Sequence, residues 1–253
     1  MTTRHLQKWH GAGNDFLVDV VAAGASNWTG EQAAALCDRH LGIGADGLLV
    51  AEVGDHLVMT LYNADGSLAE MSGNGVRCLV GAVVRARNLA GDRLEVSTSA
   101  GMRTVTYRLD GAEGWASVAM GRVTFAEALE GTLGVAYVGN PHVVVRDQSE
   151  WNDTYREQLA SQLSEKIGGA NVEFVTVDGL NHVTLRVIER GVGWTLACGT
   201  GSCAVAAILA LRGEVASPVV VANPGGDLTV SLTRDEATLA GPMHFVGDVD
   251  WTP

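Results

Sequence analysis

The stretch Ser72-Gly73-Asn74-Gly75-Val76-Arg77-Cys78 has a counterpart 126 residues later, Cys198-Gly199-Thr200-Gly201-Ser202-Cys203. Both stretches read Ser or Cys, Gly, any residue, Gly, and both run into a small apolar segment that is typical of a buried helix. Glycines at the start of a helix let backbone N–H groups approach a bound anion closely. A thiol at this point lies at the positive end of the helix dipole, which predicts a lowered pKa for Cys198. The repeat suits the movement of a proton from one face of a carbon atom to the other.

The two motifs divide the chain into similar halves. Strand-like segments, such as Phe16 to Val21 and Val172 to Val177, surround one apolar helix in each half. A further helix is expected over Glu31 to His40, with Thr29 as its N-cap, and another over Thr154 to Lys166. An offset of about half the chain indicates two homologous domains from a duplication, with the boundary near residue 121.

Length and composition restrict the function classes. A chain of 253 residues is long enough for two compact domains. Its net charge of −12 argues against nucleic acid and against anionic membrane surfaces as partners. The four cysteines follow no disulfide or zinc spacing, and the first nine residues are too polar for a signal peptide. No apolar run is long enough to span a bilayer. We therefore expect a cytoplasmic protein.

Each candidate residue also has a plain structural interpretation. Cys198 is the strongest candidate because it precedes a glycine motif, whereas Cys37, Cys78 and Cys203 are expected in the core. Asparagines that open strands or occupy turns could equally be structural, and the Glu189-Arg190 pair could be a solvated salt bridge. An arginine at that point could also hold a ligand carboxylate with two parallel hydrogen bonds. The asparagines of this kind are Asn14, Asn63, Asn140 and Asn171.

Seven motifs, taken together and in order, resemble the diaminopimelate epimerase family over essentially the whole chain. They are His10-Gly11-Ala12-Gly13-Asn14-Asp15-Phe16, Gly42-Ile43-Gly44-Ala45-Asp46-Gly47, Asn63-Ala64-Asp65-Gly66-Ser67, Ser72-Gly73-Asn74-Gly75-Val76-Arg77-Cys78, Gly139-Asn140-Pro141-His142, Asn171-Val172-Glu173-Phe174, and Glu189-Arg190-Gly191-Val192-Gly193 leading into Ala197-Cys198-Gly199-Thr200-Gly201.

The resemblance implies an α/β fold of the α+β type with two pseudo-symmetric domains. Each would be a barrel-like sheet around a central helix, with residues 1–120 completed by 243–253 in one domain and 121–242 in the other. It implies an isomerase that epimerises LL-diaminopimelate to meso-diaminopimelate, a step in lysine and peptidoglycan-precursor synthesis. It further implies a small-molecule substrate, no cofactor and no metal, and it is compatible with a homodimer.

The resemblance also assigns roles to residues of this chain. The catalytic pair would be Cys198 and Ser72, facing one another across a cleft. Backbone donors at Gly73, Asn74, Gly199 and Thr200 would hold the carboxylate beside the reacting carbon. The substrate contacts carried over from the family are Asn14, Asn63, Asn140, Asn171, Glu189 and Arg190.

Three positions depart from the family pattern. Ser72 stands where the family has a catalytic cysteine, and a hydroxyl is a much poorer base than a thiol, whose ordinary pKa is about 8.5. Gly47 replaces an amide side chain found in some members, and Trp194 stands where Glu or another residue is expected.

Two alternatives therefore remain open. One is a related cofactor-independent racemase, isomerase or dehydratase that acts on another amino acid. The other is a catalytically silent homologue that binds an amino acid.

Overall fold

The computed structural model describes residues 3–69, 71–234 and 236–252, and the chain forms two compact units. Unit 1 consists of Met1–Val118 and Gly241–Pro253, and unit 2 of Ala119–Ala240. The helices are α1 (Gly30–Cys37), α2 (Gly73–Arg87), α3 (Asp153–Lys166) and α4 (Gly199–Leu211). The strands are β1 (Arg4–Gly11), β2 (Asn14–Ala22), β3 (Gly47–Val53), β4 (Leu57–Asn63), β5 (Arg93–Thr98), β6 (Gly101–Asp110), β7 (Glu113–Arg122), β8 (Thr124–Ala126), β9 (Gly134–Val138), β10 (Asn140–Arg146), β11 (Asn171–Gly179), β12 (His182–Glu189), β13 (Gly193–Thr195), β14 (Val219–Asn223), β15 (Gly226–Thr233) and β16 (Glu236–Trp251).

Unit 1 is a closed barrel around one helix. Its strands follow the order β1-β2-β3-β4-β5-β6-β7-β16, and pairing of β16 with β1 closes the path. Helix α2 packs against β1, β2, β3, β4 and β6, and its residues from Gly73 to Val84 are buried. The surrounding strands leave this buried part of the helix without a solvent-facing side, which explains the apolar run from Cys78 to Val84.

Unit 2 repeats the strand pairing of unit 1. In each unit an antiparallel hairpin is followed by a helix and a parallel strand, as in β2-α1-β3 and β10-α3-β11. An antiparallel strand, the central helix and another parallel strand come next, as in β4-α2-β5 and β12-α4-β14. The two central helices begin 126 residues apart, as the two glycine motifs do. The expected α+β architecture, with strands around one central helix in each half, is confirmed.

The other helix of each unit, α1 in unit 1 and α3 in unit 2, covers the outer face of its sheet. In unit 2, Ala160 and Leu163 of α3 pack on Val172 and Phe174 of β11. Because side chains alternate along a strand, the residues between them, including Glu173, point to the other face, where α4 lies. A carboxylate in the middle of a buried strand is thereby brought to the start of the central helix.

The helix expected over Glu31 to His40 ends at Cys37, because the Asp38 carboxylate accepts the backbone N–H groups of His40 and Leu41. Both glycine motifs form the first turn of their helices, which begin at Gly73 and Gly199 as expected. Small residues permit this, because a Cβ atom on Gly201 would lie 2.6 Å from Glu173 Oε1. Thr29 caps α1 as expected and forms a capping box with Gln32. In the part of the chain that the structure describes, no helix is long and apolar enough to cross a membrane.

Candidate active site

Cys198 is the N-cap of α4, and its sulfur accepts a hydrogen bond from the helix. Gly201 N–H donates to Cys198 Sγ over 3.3 Å, and the Thr200 hydroxyl lies 3.5 Å from the same sulfur. Only 5% of Cys198 is exposed. The first N–H groups of α4, at Gly199 and Thr200, have no acceptor within the helix, so they are available to an anion.

The predicted lowering of the Cys198 pKa is wrong. Burial raises the pKa of this thiol well above its ordinary value, and the negative charges of Glu189 and Glu173 raise it further. The hydrogen bonds from Thr200 and Gly201 lower it, but burial and the two carboxylates outweigh them. The sequence argument counted the helix dipole and missed the carboxylates that neighbouring strands bring to the sulfur.

Glu189, at the end of β12, is the first of these carboxylates. The Thr195 hydroxyl of β13 donates to Glu189 Oε1 over 2.6 Å, which fixes the carboxylate. The pKa of Glu189 is raised, mainly by burial and further by the charge of Glu173. The hydrogen bond from Thr195 and the interactions with His142 and Cys198 lower it, but they do not outweigh burial. Glu189 and Cys198 therefore influence each other's charge, so Glu189 belongs beside the sulfur as well as among the substrate contacts.

Glu173 is the second carboxylate and forms a buried chain of hydrogen bonds with His142 and Asn140. Glu173 Oε1 lies 2.6 Å from His142 Nδ1, and His142 Nε2 lies 2.9 Å from Asn140 Oδ1. Glu173 and His142 are fully buried. Asn140 Oδ1 can only accept, so it faces His142 Nε2, while His142 Nδ1 faces Glu173. The side-chain amide of Asn140 is thus held with its nitrogen turned away from His142.

The remaining contacts of unit 2 lie at the neighbouring strand ends. Asn171 Oδ1 accepts a hydrogen bond from the backbone N–H of Arg190 over 2.9 Å, which ties the start of β11 to the end of β12. Arg190 is exposed, and its side chain runs past Gly169, where a Cβ atom would lie 2.9 Å from Arg190 Cδ. The guanidinium of Arg190 is therefore accessible at the same end of the sheet as Glu189.

Ser72 occupies in α2 the place of Cys198 in α4. It is the N-cap, and its Oγ accepts a hydrogen bond from Gly75 N–H over 3.0 Å. A buried arginine lies one turn further along: Arg77 donates to Gly73 O over 3.2 Å and to Asn74 Oδ1 over 2.6 Å. A buried guanidinium therefore lies one turn after Ser72, whereas the negative charges of Glu189 and Glu173 act on Cys198.

Asn14 is connected to the same helix start. Asn74 Nδ2 donates to Asn14 Oδ1 over 3.4 Å, and Asn14 Nδ2 donates to Asp46 Oδ2 over 2.7 Å. The neighbouring carboxylate is strongly held: burial alone would raise the pKa of Asp15, but hydrogen bonds from Arg39 and Lys8 hold it at about 2. Two of the predicted substrate contacts, Asn14 and Asn74, are thus brought together.

Local contacts explain the positions of Asn63 and of Gly47 and Trp194, the two remaining departures from the family pattern. Asn63 ends β4 and donates to Ser67 Oγ over 3.0 Å, within its own turn. A Cβ atom on Gly47 would lie 2.6 Å from the carbonyl oxygen of Tyr62, so this backbone leaves no room for a side chain. Trp194 packs on Phe174 and donates to Glu157 of α3, which makes it part of the outer cluster of unit 2.

Four residues of the site occur in the sequence motifs but were not predicted to have a role. Glu173 and His142 lie against Cys198, Arg77 lies at the start of α2, and Asp46 holds Asn14. One signal was available for Glu173: a charged residue between Val172 and Phe174, inside a strand that is buried on both faces, must have a partner.

Comparison with known proteins places this geometry in a family. The model of the family described as diaminopimelate epimerase matches residues 6–126 and 134–246. A diaminopimelate epimerase of Xanthomonas axonopodis pv. citri (strain 306) is 37% identical, over 96% of this chain and 95% of that protein. Another, from Xylella fastidiosa (strain M23), is 36% identical over 98% and 96%. Among solved structures, the fold is similar to a phenazine biosynthesis protein of the PhzF family from Bacillus anthracis. Its TM-score is 0.79, with 16% identity and all of both chains covered.

Proposed function

The chain belongs to the diaminopimelate epimerase family, and we propose that it interconverts LL- and meso-diaminopimelate by exchanging the α-proton through Cys198 and Ser72. The reaction is an isomerisation that serves lysine and peptidoglycan-precursor synthesis. The observation that carries the proposal is the repeated helix start, with a proton-transfer side chain as N-cap and N–H groups that have no acceptor within the helix.

The α-proton of an amino acid is very weakly acidic, so the protein must stabilise the carbanion electrostatically. N–H groups at the starts of α2 and α4 supply positive potential to the substrate carboxylate. We assign this contact to Gly73, Asn74, Gly199 and Thr200. Because the dipoles are fixed before the substrate binds, they need no reorganisation when charge develops.

Cys198 is a protonated thiol in the resting protein. Burial and two carboxylates raise its pKa, so in the resting protein it is ready to donate a proton to a carbanion. To act in the opposite direction it must first lose that proton. An ammonium group of the substrate beside Glu189 would favour the thiolate, because it offsets the negative charge that now opposes ionisation. Substrate binding therefore prepares the base.

We assign the distal end of the substrate to Asn63, Asn140, Asn171, Glu189 and Arg190. Asn140 presents amide hydrogens because His142 occupies its oxygen. The exposed guanidinium of Arg190 suits a carboxylate and the carboxylate of Glu189 suits an ammonium group. This combination favours a substrate with a second amino-acid end over an amino acid with one carboxylate. Asn14 completes the set on unit 1, where it contacts Asn74.

The test is to incubate the protein with LL-diaminopimelate and with meso-diaminopimelate in heavy water and to separate the isomers. We expect conversion in both directions and deuterium in the meso isomer before the LL product appears, because Cys198 can exchange a proton without Ser72. Binding without conversion or exchange would favour the silent homologue, for which Ser72 is the supporting feature. Turnover of another amino acid alone would favour the related racemase.

A further inference from the structure

Three potential metal ligands of different chemistry meet in the interior of unit 2. His142, Glu173 and Cys198 each offer one ligand atom, and these atoms all lie within 4.8 Å of one another. Three atoms at that spacing lie within about 2.8 Å of a common centre, whereas Zn²⁺ binds sulfur at about 2.3 Å and nitrogen or oxygen at about 2.0–2.2 Å. Movements of less than about 1 Å would therefore bring all three into contact with one ion.

The surroundings of the three ligands point to a cation independently of their spacing. Glu173 Oε2 is buried and has no hydrogen-bond partner among residues 3–69, 71–234 and 236–252. The far nitrogen of His142 is bonded to Asn140 Oδ1, which directs Nδ1 toward Glu173. An oxygen acceptor on the other ring nitrogen is the usual support of a metal-binding histidine. The sulfur likewise receives the N–H of Gly201.

The charge balance also permits an ion. A divalent cation offsets the negative charge of a carboxylate and a thiolate, which are the forms in which Glu173 and Cys198 would bind it. The charge of Glu189 nearby adds further attraction. A set of one sulfur, one nitrogen and one oxygen selects Zn²⁺ over Mg²⁺ or Ca²⁺, which prefer oxygen alone.

We propose that His142, Glu173 and Cys198 bind one Zn²⁺ ion and that this ion reversibly switches the enzyme off. The ion takes the sulfur that the reaction needs, so it is an inhibitor and not a cofactor. The metal site rests on geometry alone, whereas the inhibition rests on the proposed role of Cys198. Removal of the ion by a chelator returns the thiol.

The site can be tested with Co²⁺, which replaces Zn²⁺ and is coloured. We expect one Co²⁺ per chain, a thiolate-to-cobalt charge-transfer band, and displacement by Zn²⁺. Cys198→Ser should remove the band, and serine is already accepted as N-cap at the equivalent position of α2. Asn140→Ala keeps all three ligands but removes the hydrogen-bond partner of His142 Nε2, so it should weaken Co²⁺ binding about ten- to a hundredfold. Glu173→Gln should weaken it at least as much, and Cys203→Ala is the control that leaves the band unchanged.

Two results would overturn the metal site. One is a charge-transfer band that survives in Cys198→Ser, and the other is Glu173→Gln and Asn140→Ala proteins that bind Co²⁺ as tightly as the unaltered protein. Circular dichroism of each variant excludes misfolding as the cause of a lost band. In parallel, Zn²⁺ should stop deuterium exchange into meso-diaminopimelate, and a chelator should restore it. A cobalt band with undiminished exchange would support the metal site and contradict the role of Cys198. Active exchange without any band would contradict the metal site alone.

Discussion

Replacing Glu189 with Gln tests whether the neighbouring carboxylates raise the pKa of the Cys198 thiol. The amide keeps the shape of the side chain and can still accept the hydrogen bond of the Thr195 hydroxyl, but it carries no charge. The negative charge of Glu189 is the largest contribution to the raised pKa of Cys198 after burial. We therefore expect Glu189→Gln to lower this pKa and to make Cys198 react faster with an alkylating agent at a fixed pH.

The size of the effect follows from two opposing changes. A neighbouring charge shifts a pKa by about 1–3 units, so the thiolate fraction rises by about ten- to a thousandfold. The nucleophilicity of the thiolate falls as its pKa falls, by about 0.4–0.5 logarithmic units for each pKa unit. The observed alkylation rate should therefore rise by about three- to sixtyfold. Glu189→Gln should also stabilise the fold at neutral pH, because the unaltered carboxylate is buried with a raised pKa.

The assay is alkylation with iodoacetamide at pH 8, followed by peptide mapping of the four cysteines. Asp147→Asn is the matched control, because it removes a carboxylate of the same unit whose partner is Arg156 of α3. We expect no acceleration at Cys198 in the control. Glu189→Gln protein that is alkylated at Cys198 no faster than the unaltered protein would refute the electrostatic reasoning. Denaturant unfolding of the same samples measures the stability change separately.

The remaining predictions concern proton transfer and the pH dependence of stability. Ser72→Cys should raise net epimerisation in both directions by several tenfold steps, each worth about 1.4 kcal/mol of activation free energy; separation of the isomers measures it, and an unchanged rate would make Ser72 an adequate proton relay. Above pH 9 the free energy of unfolding should fall, because burial raises the pKa of Cys37 to about 11 and of Cys78 to about 12 while the same thiols ionise in the unfolded chain. Each thiol should cost about 1.4 kcal/mol by pH 10, and Cys37→Ala should reduce the slope of stability against pH. The Asp15 pKa of about 2 implies stability that is present above pH 4 and lost as the pH falls to 2. The loss is about 2 kcal/mol, and acid unfolding of Asp15→Asn should lack this component.

The fold was predictable from the sequence where local signals agree with the final structure. The glycine repeat, the alternating apolar segments and the cap at Thr29 each depend on neighbouring residues, and each identified its element. The end of α1 was predicted too late, at His40 instead of Cys37, because the Asp38 side chain replaces helical hydrogen bonds by accepting the backbone N–H groups of His40 and Leu41.

The environment of the site was less predictable than its members. The pKa of Cys198 depends on Glu173 and Glu189, which lie on the paired strands β11 and β12. No spacing in the sequence indicates that either carboxylate lies near Cys198. The same holds for the hydrogen-bonded chain from Glu173 to Asn140, which crosses the parallel pairing of β10 and β11. Strand pairing therefore places the charges that set the pKa of Cys198, and the sequence pattern alone does not show this pairing.

The proposed use of Ser72 and Cys198 as a proton-transfer pair depends on how strongly each side chain holds its proton. A hydroxyl holds its proton far more strongly than a thiol. The carboxylates of Glu173 and Glu189 raise the pKa of Cys198. This effect brings the proton affinity of the thiol closer to that of the hydroxyl. Proton exchange between two faces of one carbon is fastest when neither group traps the proton. If the two side chains act as we propose, the rate gained by Ser72→Cys measures the difference in proton affinity that remains between the hydroxyl and the thiol.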